Sequence, residues 1–404
     1  MSDPIRDPEK IDWFLDHAVE HVYPTREALR TRMLTGPALK VYHGIDPTGP
    51  TLHLGHTVPL RKLAELQALG HEVVLLIGDF TAMIGDPTDK TATRKKLTRE
   101  EVLENCKLYK KQAARILRFD GPNPVQFRFN SEWLATMSFA DVVELASHFT
   151  VQQMLERDMF EKRIAEGKPV HLHEFLYPLM QGQDSVAIDV DLEIGGNDQT
   201  FNMLAGRTLQ REVRGKEKFV LTNRLLSDPT GKKMGKSEGN MLSFLDAPED
   251  MYGKVMSWSD SMILPALEIC TLMSPAEINQ IRERLAQGEN PKVLKDVLAR
   301  EIVKWLVDDA AAEAAAEHFV RVHQQGEKPV DIKEYKVGSL MIQLVDALVQ
   351  GGLVDSKSEA RRQIEQGGIK VDDVVATDVK MEITIPEEGV TIQKGKRFFV
   401  KLVV

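Results

Sequence analysis

Two histidines three residues apart, His53 and His56, follow a segment that changes from strand-like to turn-like. The apolar residues 39–41 predict a strand, and the glycines and prolines of residues 44–50 predict a turn that leads into a helix. On that helix both imidazoles lie on one face, near the positive N-terminal end, where free backbone N–H groups bind phosphates. Gly55 between them lets a base or a phosphate approach the backbone closely. The pattern indicates a nucleotide site, although two helical histidines can equally be surface or core residues.

The neighbouring elements must hold these histidines in place. The helix is predicted to continue to about Leu69, and Gly70 stands where a C-terminal glycine is expected. Residues 71–77 read His-Glu-Val-Val-Leu-Leu-Ile and predict a second strand. A strand, a tight turn, a helix and another strand make up a nucleotide-binding βαβ unit.

A second candidate group lies far along the chain. Residues 232–237 read Lys-Lys-Met-Gly-Lys-Ser and follow an Asp-Pro-Thr-Gly turn. Lysines on a loop can reach a triphosphate as charge moves onto the leaving pyrophosphate, although a lone lysine cluster is usually a solvated loop. Taken together, the His-Leu-Gly-His and Lys-Met-Gly-Lys-Ser stretches resemble the HIGH and KMSKS signatures of class I aminoacyl-tRNA synthetases. The resemblance extends over nearly the whole chain and is most detailed to the bacterial tyrosyl-tRNA synthetase family.

Composition restricts the class of protein. With 404 residues the chain is long enough for two or three domains, and its 42% hydrophobic and 28% charged residues are ordinary for a globular protein. The N-terminal segment is polar and no apolar run is long enough to span a bilayer, so we expect a cytosolic protein with no membrane partner. Two cysteines exclude a disulfide framework, and a net charge of −9 argues against non-specific coating of nucleic acid.

The resemblance implies an α/β fold in three parts. Residues 1–246 would form a Rossmann-like catalytic domain with a parallel sheet, including the lysine segment. Residues 247–332 would form an α-helical anticodon-binding domain, and the pattern from 247 to about 325 is strongly helical. Residues 337–404 would form a small α+β domain of the S4 type.

Several longer elements are predicted from periodicity alone. Residues 12–34 predict a helix that restarts at a proline, and residues 99–118 and 139–165 predict amphipathic helices. The apolar run at 186–194 predicts a buried strand. The region 137–149 resembles the part of the family that forms the dimer interface, which implies a homodimer.

Three polar residues, Tyr177, Gln181 and Asp184, recur at spacings of four and three in an otherwise apolar segment. On a helix they share one face, and if buried they need polar partners. A zwitterionic amino acid with a phenol can supply those partners, and an internal hydrogen-bond network is the alternative. The resemblance assigns Tyr177 and Gln181 to the amino group of tyrosine, and Asp184 with Tyr42 to its phenolic hydroxyl.

Further roles follow from the resemblance alone. Asp86 matches the aspartate that contacts the α-ammonium group, Gln199 lies near the carboxyl group that becomes the adenylate, and Asp198 lies at the ribose. No role passes to Glu193 or Thr200, where many members have glutamine and tryptophan. The other implied ATP-binding and catalytic residues are Asp46, Thr48, Gly55, Gly196, Lys90, Arg94, Lys233 and Lys236, with Lys90 and Arg94 on a loop that closes over pyrophosphate in the family.

The tail contains a candidate RNA-binding face. Residues 356–372 resemble an S4-type domain, with Lys357, Arg361 and Arg362 near one face of a helix and Lys370 on the strand that follows. A small accessory domain without an RNA role is the alternative.

The resemblance as a whole implies a tyrosine–tRNA ligase. Its partners would be ATP, L-tyrosine and tRNA(Tyr), and Mg²⁺ would enter with ATP, with no protein-bound metal. A tryptophanyl enzyme shares the fold but has no use for Tyr42 and Asp184 as a phenol-binding pair. Another nucleotidyltransferase would not explain the helical part and the tail, and a non-catalytic RNA-binding protein would not need both signatures.

Overall fold

Runs rich in valine and leucine form a six-stranded sheet in the computed structural model, which describes residues 3–86, 97–227, 242–323, 332, 334–395 and 398–404. The strands follow the spatial order β1-β6-β5-β2-β3-β4. Their bounds are β1 Val19–Tyr23, β2 Lys40–Ile45, β3 Glu72–Ile77, β4 Gln126–Phe129, β5 Leu192–Gly196 and β6 Phe219–Asn223.

Strand β2 lies at the point where the direction of the chain across the sheet reverses. It pairs in parallel with β3 on one side, where Tyr42 faces Val74, and with β5 on the other, where Tyr42 faces Glu193. Strand β1 is antiparallel to β6 and closes one edge. In sheets of this kind, ligands bind in the crevice at the carboxyl ends of the two strands that diverge, here β2 and β5.

The helices begin at residues suited to cap them. Thr98, Ser138 and Ser274 each accept a hydrogen bond from a first-turn N–H and close a capping box. The bounds are α1 Pro8–Asp16, α2 Arg26–Thr35, α3 Leu54–Ala68, α4 Thr81–Ile84, α5 Arg99–Cys106, α6 Tyr109–Ala113, α7 Ser131–Leu134, α8 Phe139–Ser147, α9 Val151–Leu155, α10 Asp158–Ala165, α11 Leu172–Ile188, α12 Thr200–Arg214, α13 Pro248–Met256, α14 Ile263–Cys270, α15 Pro275–Ala286, α16 Pro291–Leu306 and α17 Asp309–His323. Among the described residues, no helix is both long and apolar enough to cross a membrane.

Helices α11 and α12 pack closely because glycines face each other where they meet. A β-carbon on Gly206 would lie 3.4 Å from the Gly182 Cα atom and 2.5 Å from the Lys218 Nζ atom. The two helices therefore approach with little space between them, and α11 is held in place beside β2 and β5. This packing positions the polar stripe of α11.

The structure corrects several predicted elements. Residues 12–34 are not one helix, because 19–23 form β1, which is paired with β6 through backbone bonds and through the His21 N–H to Thr222 Oγ1 bond of 3.0 Å. Sheet pairing thus overrides a helical pattern. Residues 186–188 belong to α11, which ends at Asp189 in the left-handed conformation, so the strand predicted from 186 begins only at 192. The helices predicted at 99–118 and 139–165 are each broken into shorter ones, and β4 was not predicted.

The chain divides into two compact units, residues 1–312 and 313–404. The second unit has its own apolar core, which includes Leu344, Ile364, Ile392 and Val400. A five-stranded sheet of order β10-β9-β12-β13-β7 and a two-stranded β11-β8 sheet enclose it. Its elements are β7 Glu334–Lys336, β8 Met341–Gln343, α18 Leu344–Gln350, α19 Lys357–Glu365, β9 Ile369–Val371, β10 Val374–Val375, β11 Glu382–Thr384, β12 Val390–Lys394 and β13 Phe398–Val403.

A histidine at the end of α1 is packed in its neutral form. The His17 ring stacks on Trp13 with centroids 4.1 Å apart. Burial, together with the nearby charges of Arg61 and Lys62, lowers the pKa of His17 from its ordinary value of 6.5 to about 3. The unfolded chain therefore binds a proton in a range of pH where the folded chain does not.

We expect this histidine to make the first unit less stable as the pH falls from 7 to 5. Because the folded-state pKa is depressed, wild type should lose about 1–2 kcal/mol more unfolding free energy over this range than His17→Phe. Urea unfolding, monitored by tryptophan fluorescence, measures the unfolding free energy of the first unit, since all four tryptophans lie within residues 13–305. His17→Gln serves as a second variant, and equal pH slopes in all three proteins would contradict the prediction.

Candidate active site

The signature histidines cap helix α3 through their ring nitrogens. His53 is the N-cap, and its Nδ1 atom accepts the Gly55 N–H at 3.1 Å. The Nδ1 atom of His56 accepts the His53 N–H, also at 3.1 Å, and the two rings lie 3.9 Å apart. A neutral imidazole that accepts at Nδ1 carries its proton on Nε2. In this tautomer the donor of each ring is Nε2 rather than Nδ1.

Backbone bonds join the signature to the chain that follows the lysine segment. The Leu54 N–H donates to the Leu242 carbonyl at 2.9 Å, and the Phe244 N–H donates to the Leu52 carbonyl at 3.0 Å. Lys233 and Lys236 themselves, like Lys90 and Arg94, lie outside the described residues. Residues 242–244, which follow the lysine segment along the chain, are thus tied directly to the start of the signature helix.

A cavity of about 1660 Å³ opens at the carboxyl ends of β2, β3 and β5. Its lining contains ten of the residues predicted from the sequence, whereas His53, Gly55 and Gly196 are not among the lining residues. The ten are Tyr42, Asp46, Thr48, His56, Asp86, Tyr177, Gln181, Asp184, Asp198 and Gln199.

Asp46 is fixed by two hydroxyl donors. Thr81 Oγ1 donates to its Oδ1 atom at 2.7 Å, and the Tyr177 hydroxyl donates to its Oδ2 atom at 2.8 Å. A β-carbon on Gly78 would lie 1.9 Å from Asp46 Oδ1, so only glycine leaves room for the carboxylate. Asp46 therefore links the signature turn to helix α11.

Asp86 is held between two donors from other elements. Arg157 Nη2 lies 3.1 Å from its Oδ1 atom, and Gln199 Nε2 donates to its Oδ2 atom at 2.7 Å. The Arg157 side chain is 6% exposed and lies over the rings of Phe160 and Phe201. The structure thus brings together two predicted substrate residues, Asp86 and Gln199, and adds Arg157.

Asp184 is a buried acceptor. Trp133 Nε1 donates to Oδ1 at 2.8 Å, and Asn130 Nδ2 donates to Oδ2 at 3.3 Å. Burial raises the pKa of Asp184 well above its ordinary range, and the two donors oppose that rise. The carboxyl group is only 3% exposed but lines the cavity.

Tyr42 and Gln181 contact a buried network beside Asp184. The Tyr42 hydroxyl lies 3.1 Å from Ser185 Oγ, and Gln181 Nε2 donates to Glu193 Oε1 at 2.9 Å. Lys218 is fully buried and pairs with the Glu193 carboxylate. Burial raises the pKa of Tyr42 well above its ordinary value, so its hydroxyl keeps its proton.

Sequence reasoning missed Asn130, Trp133, Arg157 and Lys218. Asn130 and Trp133 follow β4, a strand too short to stand out, and Lys218 directly precedes β6. A lysine just before an apolar strand gives no sign that it will be buried. Their roles depend on tertiary packing rather than on a local pattern.

The predicted RNA-binding residues lie in the second unit. Lys357, Arg361 and Arg362 are on α19 and Lys370 is on β9. Both arginines are exposed, and Lys357 pairs with Asp346 at 2.6 Å.

No metal-binding cluster of three or more histidine, cysteine or acidic side chains occurs in the described part of the chain. Two acidic groups that line the cavity, Asp46 and Asp86, accept hydrogen bonds from protein groups. Both oxygens of each carboxylate accept such a bond.

A parallel sheet, a cavity where β2 and β5 diverge, and two Nε2 donors at a helix start define the class. This is the nucleotide-binding domain of a class I aminoacyl-tRNA synthetase. The family model described as "tRNA synthetases class I (W and Y)" matches residues 35–324, and the "Tyrosine--tRNA ligase SYY-like C-terminal domain" matches residues 324–402.

Curated proteins and solved structures narrow the class. The chain is 44% identical over 384 residues to the tyrosine–tRNA ligase of Carboxydothermus hydrogenoformans, covering 93% of each chain. It is 45% identical over 380 residues to that of Thermotoga maritima, covering 94% of each. A truncated mitochondrial tyrosyl-tRNA synthetase from Coccidioides posadasii has a similar structure, with TM-score 0.61 and 25% identity, over 77% of this chain and 90% of that one. The chain belongs to the tyrosine–tRNA ligase family.

Proposed function

We propose that this chain activates L-tyrosine with ATP and transfers it to tRNA(Tyr). In the first step the tyrosine carboxylate attacks the α-phosphorus of ATP, giving tyrosyl-adenylate and releasing pyrophosphate. In the second, a hydroxyl of the terminal ribose of tRNA attacks the tyrosyl carbonyl and AMP leaves. No side-chain nucleophile takes part, so catalysis depends on positioning and on stabilisation of charge.

One observation carries this proposal. A buried hydroxyl, that of Tyr42, and a buried carboxyl group, that of Asp184, line the same cavity as the signature histidine His56. A phenol hydroxyl both accepts and donates a hydrogen bond, so it can pair with a hydroxyl and a carboxyl group at once. A tryptophan substrate has no such hydroxyl, and this favours tyrosine over the alternative within the family.

The amino end of tyrosine would bind near Asp86, Tyr177 and Gln181. The hydroxyl of Tyr177 and the carboxylate of Asp86 are held by Asp46, Arg157 and Gln199, so their positions are set before the substrate arrives. A carboxylate suits the α-ammonium group of the substrate.

The nucleotide would bind along the signature helix. The Nε2–H groups of His53 and His56 and the hydroxyl of Thr48 supply donors for phosphate oxygens, with Lys90, Arg94, Lys233 and Lys236 as further cations. Asp198, beside Gly196, would hold the ribose. Mg²⁺ would enter bound to the ATP phosphates, where it offsets their charge, because Mg²⁺ in such sites is held largely by the phosphates.

The tRNA would contact both units. Helices α13 to α17 would form the anticodon-binding part, and the second unit would add an RNA-binding face. The exposed Arg361 and Arg362 on α19 support the second assignment, because phosphate contacts need accessible cations. We place the protein in the cytoplasm.

Pyrophosphate exchange without tRNA tests the substrate assignment. We expect labelled pyrophosphate to enter ATP with tyrosine, and to do so far more weakly with phenylalanine or tryptophan, since neither supplies a hydroxyl to Tyr42 and Asp184. Exchange with tryptophan would overturn the substrate but not the chemistry. No exchange with any of the three would favour a non-catalytic RNA-binding protein.

The variant His53→Asn tests the signature donors. Asparagine is a good N-cap, so the helix start should survive while the Nε2–H donor is lost. We expect the rate of adenylate formation to fall about 10²–10³-fold with little change in tyrosine affinity. Single-turnover kinetics and equilibrium dialysis separate the two effects. His148→Asn, a histidine paired with Glu212, is the matched control, and a fully active His53→Asn would refute the role.

A homodimer is the assembly we propose. Helix α8 exposes Phe139 and Val143 four residues apart, at 84% and 54% exposure, so they form an apolar strip on one helix face. An apolar strip of this kind is typical of an interface between subunits. A second copy of the chain is its proposed occupant.

We expect Phe139→Glu to weaken this dimer, because a carboxylate would be buried without a partner. Sedimentation velocity should show wild type at twice 45.5 kDa and the variant moving toward 45.5 kDa at micromolar concentration. Leu272→Glu, at an exposed position elsewhere in the first unit, is the control and should stay dimeric. A wild-type monomer would contradict the proposal.

A further inference from the structure

Lys218 is a buried cation with a complete set of acceptors. Its Nζ atom lies 2.7 Å from Ser185 Oγ and 3.1 Å from the Met203 carbonyl, and it pairs with the Glu193 carboxylate. Its side chain is fully buried, and that of Glu193 is 2% exposed. Three acceptors match the three N–H groups of an ammonium ion, whereas a neutral amine has only two. Lys218 therefore uses all of its donors within this network.

This arrangement fixes the direction of the neighbouring hydrogen bonds. An ammonium group only donates, so Ser185 Oγ must accept from Lys218. The hydroxyl of Ser185 then has one proton, and its neighbours are the Tyr42 hydroxyl at 3.1 Å and Glu193 Oε2 at 3.5 Å. The shorter distance favours Tyr42, and Glu193 Oε2 already receives Lys218. Ser185 therefore donates to Tyr42.

The Tyr42 proton has only distant or shared acceptors within the protein. The acceptors near the Tyr42 hydroxyl are the Gln181 carbonyl at 3.4 Å, which is long for an O–H···O bond, and the Glu193 carboxylate, which already receives Lys218 and Gln181. Asp184, in contrast, accepts from Trp133 and Asn130 and has further lone pairs to accept with. The lining of the cavity thus contains one donor, Tyr42, and one acceptor, Asp184.

We propose that Lys218 and Ser185 are positioning residues that make the Tyr42 hydroxyl a donor to the substrate's phenol oxygen. In this series of hydrogen bonds the Lys218 ammonium donates to Ser185, Ser185 donates to Tyr42, and Tyr42 donates to the phenol oxygen. The phenol hydroxyl in turn donates a hydrogen bond to Asp184. This inference rests on the proposed function, since it takes tyrosine as the ligand. Glu193 neutralises Lys218 and also accepts a hydrogen bond from Gln181. The series of hydrogen bonds is thereby connected to Gln181, another polar residue of α11.

The direction of these hydrogen bonds has a consequence for substrate specificity. Phenylalanine would leave the Tyr42 proton with only the distant Gln181 carbonyl and the shared Glu193 carboxylate, and it would also leave Asp184 without the donor that a phenol supplies. Removing the Ser185 hydroxyl interrupts this series of hydrogen bonds. The Tyr42 hydroxyl can then rotate, and it loses its preference for donating into the cavity. Discrimination against phenylalanine should therefore fall even though no residue in contact with substrate has changed.

A double-mutant cycle on the full-length chain tests the proposal. Ser185→Ala, Tyr42→Phe and the combined variant are compared by the kcat and KM of pyrophosphate exchange with tyrosine and with phenylalanine. We expect Ser185→Ala to raise the KM for tyrosine about three- to tenfold, with a smaller effect on kcat and little effect on phenylalanine. In the Tyr42→Phe background the same change should alter the KM for tyrosine less than about twofold, because the series of hydrogen bonds is already interrupted at position 42.

The outcomes separate this proposal from the proposed function. If Ser185→Ala costs the same in both backgrounds, Ser185 acts only through packing and the proposal is overturned. If Tyr42→Phe itself leaves the preference for tyrosine over phenylalanine unchanged, the phenol assignment fails and the inference fails with it. Ser185→Cys keeps the side-chain size with a weak donor and serves if the alanine variant does not fold. Thr271→Val removes a fully buried hydroxyl away from the cavity and should leave the preference intact.

Discussion

Tyr42 and Glu193 face one another across the pairing of β2 with β5, and this register sets the position of the other cavity groups. Beyond Tyr42, β2 leads into Asp46 and the signature turn. Beyond Glu193, β5 leads into Asp198 and the following residues of the cavity. The two strands are parallel, and the connection after β2 runs toward β3 while the connection after β5 runs toward β6. Their carboxyl ends therefore open a crevice between the two connections. A slip of one residue in this pairing would turn Tyr42 to the other face of the sheet.

Burial of a charged group beside the cavity costs free energy because the group loses its water. For that reason each buried charged group there has specific hydrogen-bonding partners. Lys218 and Glu193 are both buried, and burial lowers the pKa of the lysine while it raises that of Asp184. The free energy lost when a charge is removed from water exceeds the free energy gained from a single hydrogen bond. Each of these groups therefore requires several donors or acceptors in place. Rigid partners of this kind keep the site in order before substrate binds, at some cost in stability.

The residues that could be predicted from the sequence are those with a local signature. His53 and His56 lie three apart at a helix start, and the strand, turn and helix around them were predicted in the right order. The strip of Tyr177, Gln181 and Asp184 was correctly placed on one helix. The partners could not be predicted, because Asn130, Trp133, Arg157 and Lys218 come from elements distant in sequence. Strand β1 was missed for a related reason, since its pairing with β6 joins residues about two hundred positions apart.

The strip on α11 makes three contacts with three different parts of the protein. Tyr177 reaches Asp46 in the signature turn, Gln181 reaches Glu193 on β5, and Asp184 reaches Trp133 after β4. One helix therefore connects the proposed nucleotide side of the cavity to its proposed phenol side. A ligand that lacks the hydroxyl leaves buried polar groups unpaired, and tyrosine-activating enzymes are a well-known example of selection by that penalty. Because the same helix also holds Asp46 through Tyr177, the proposed phenol site and the placement of the signature turn depend on one another.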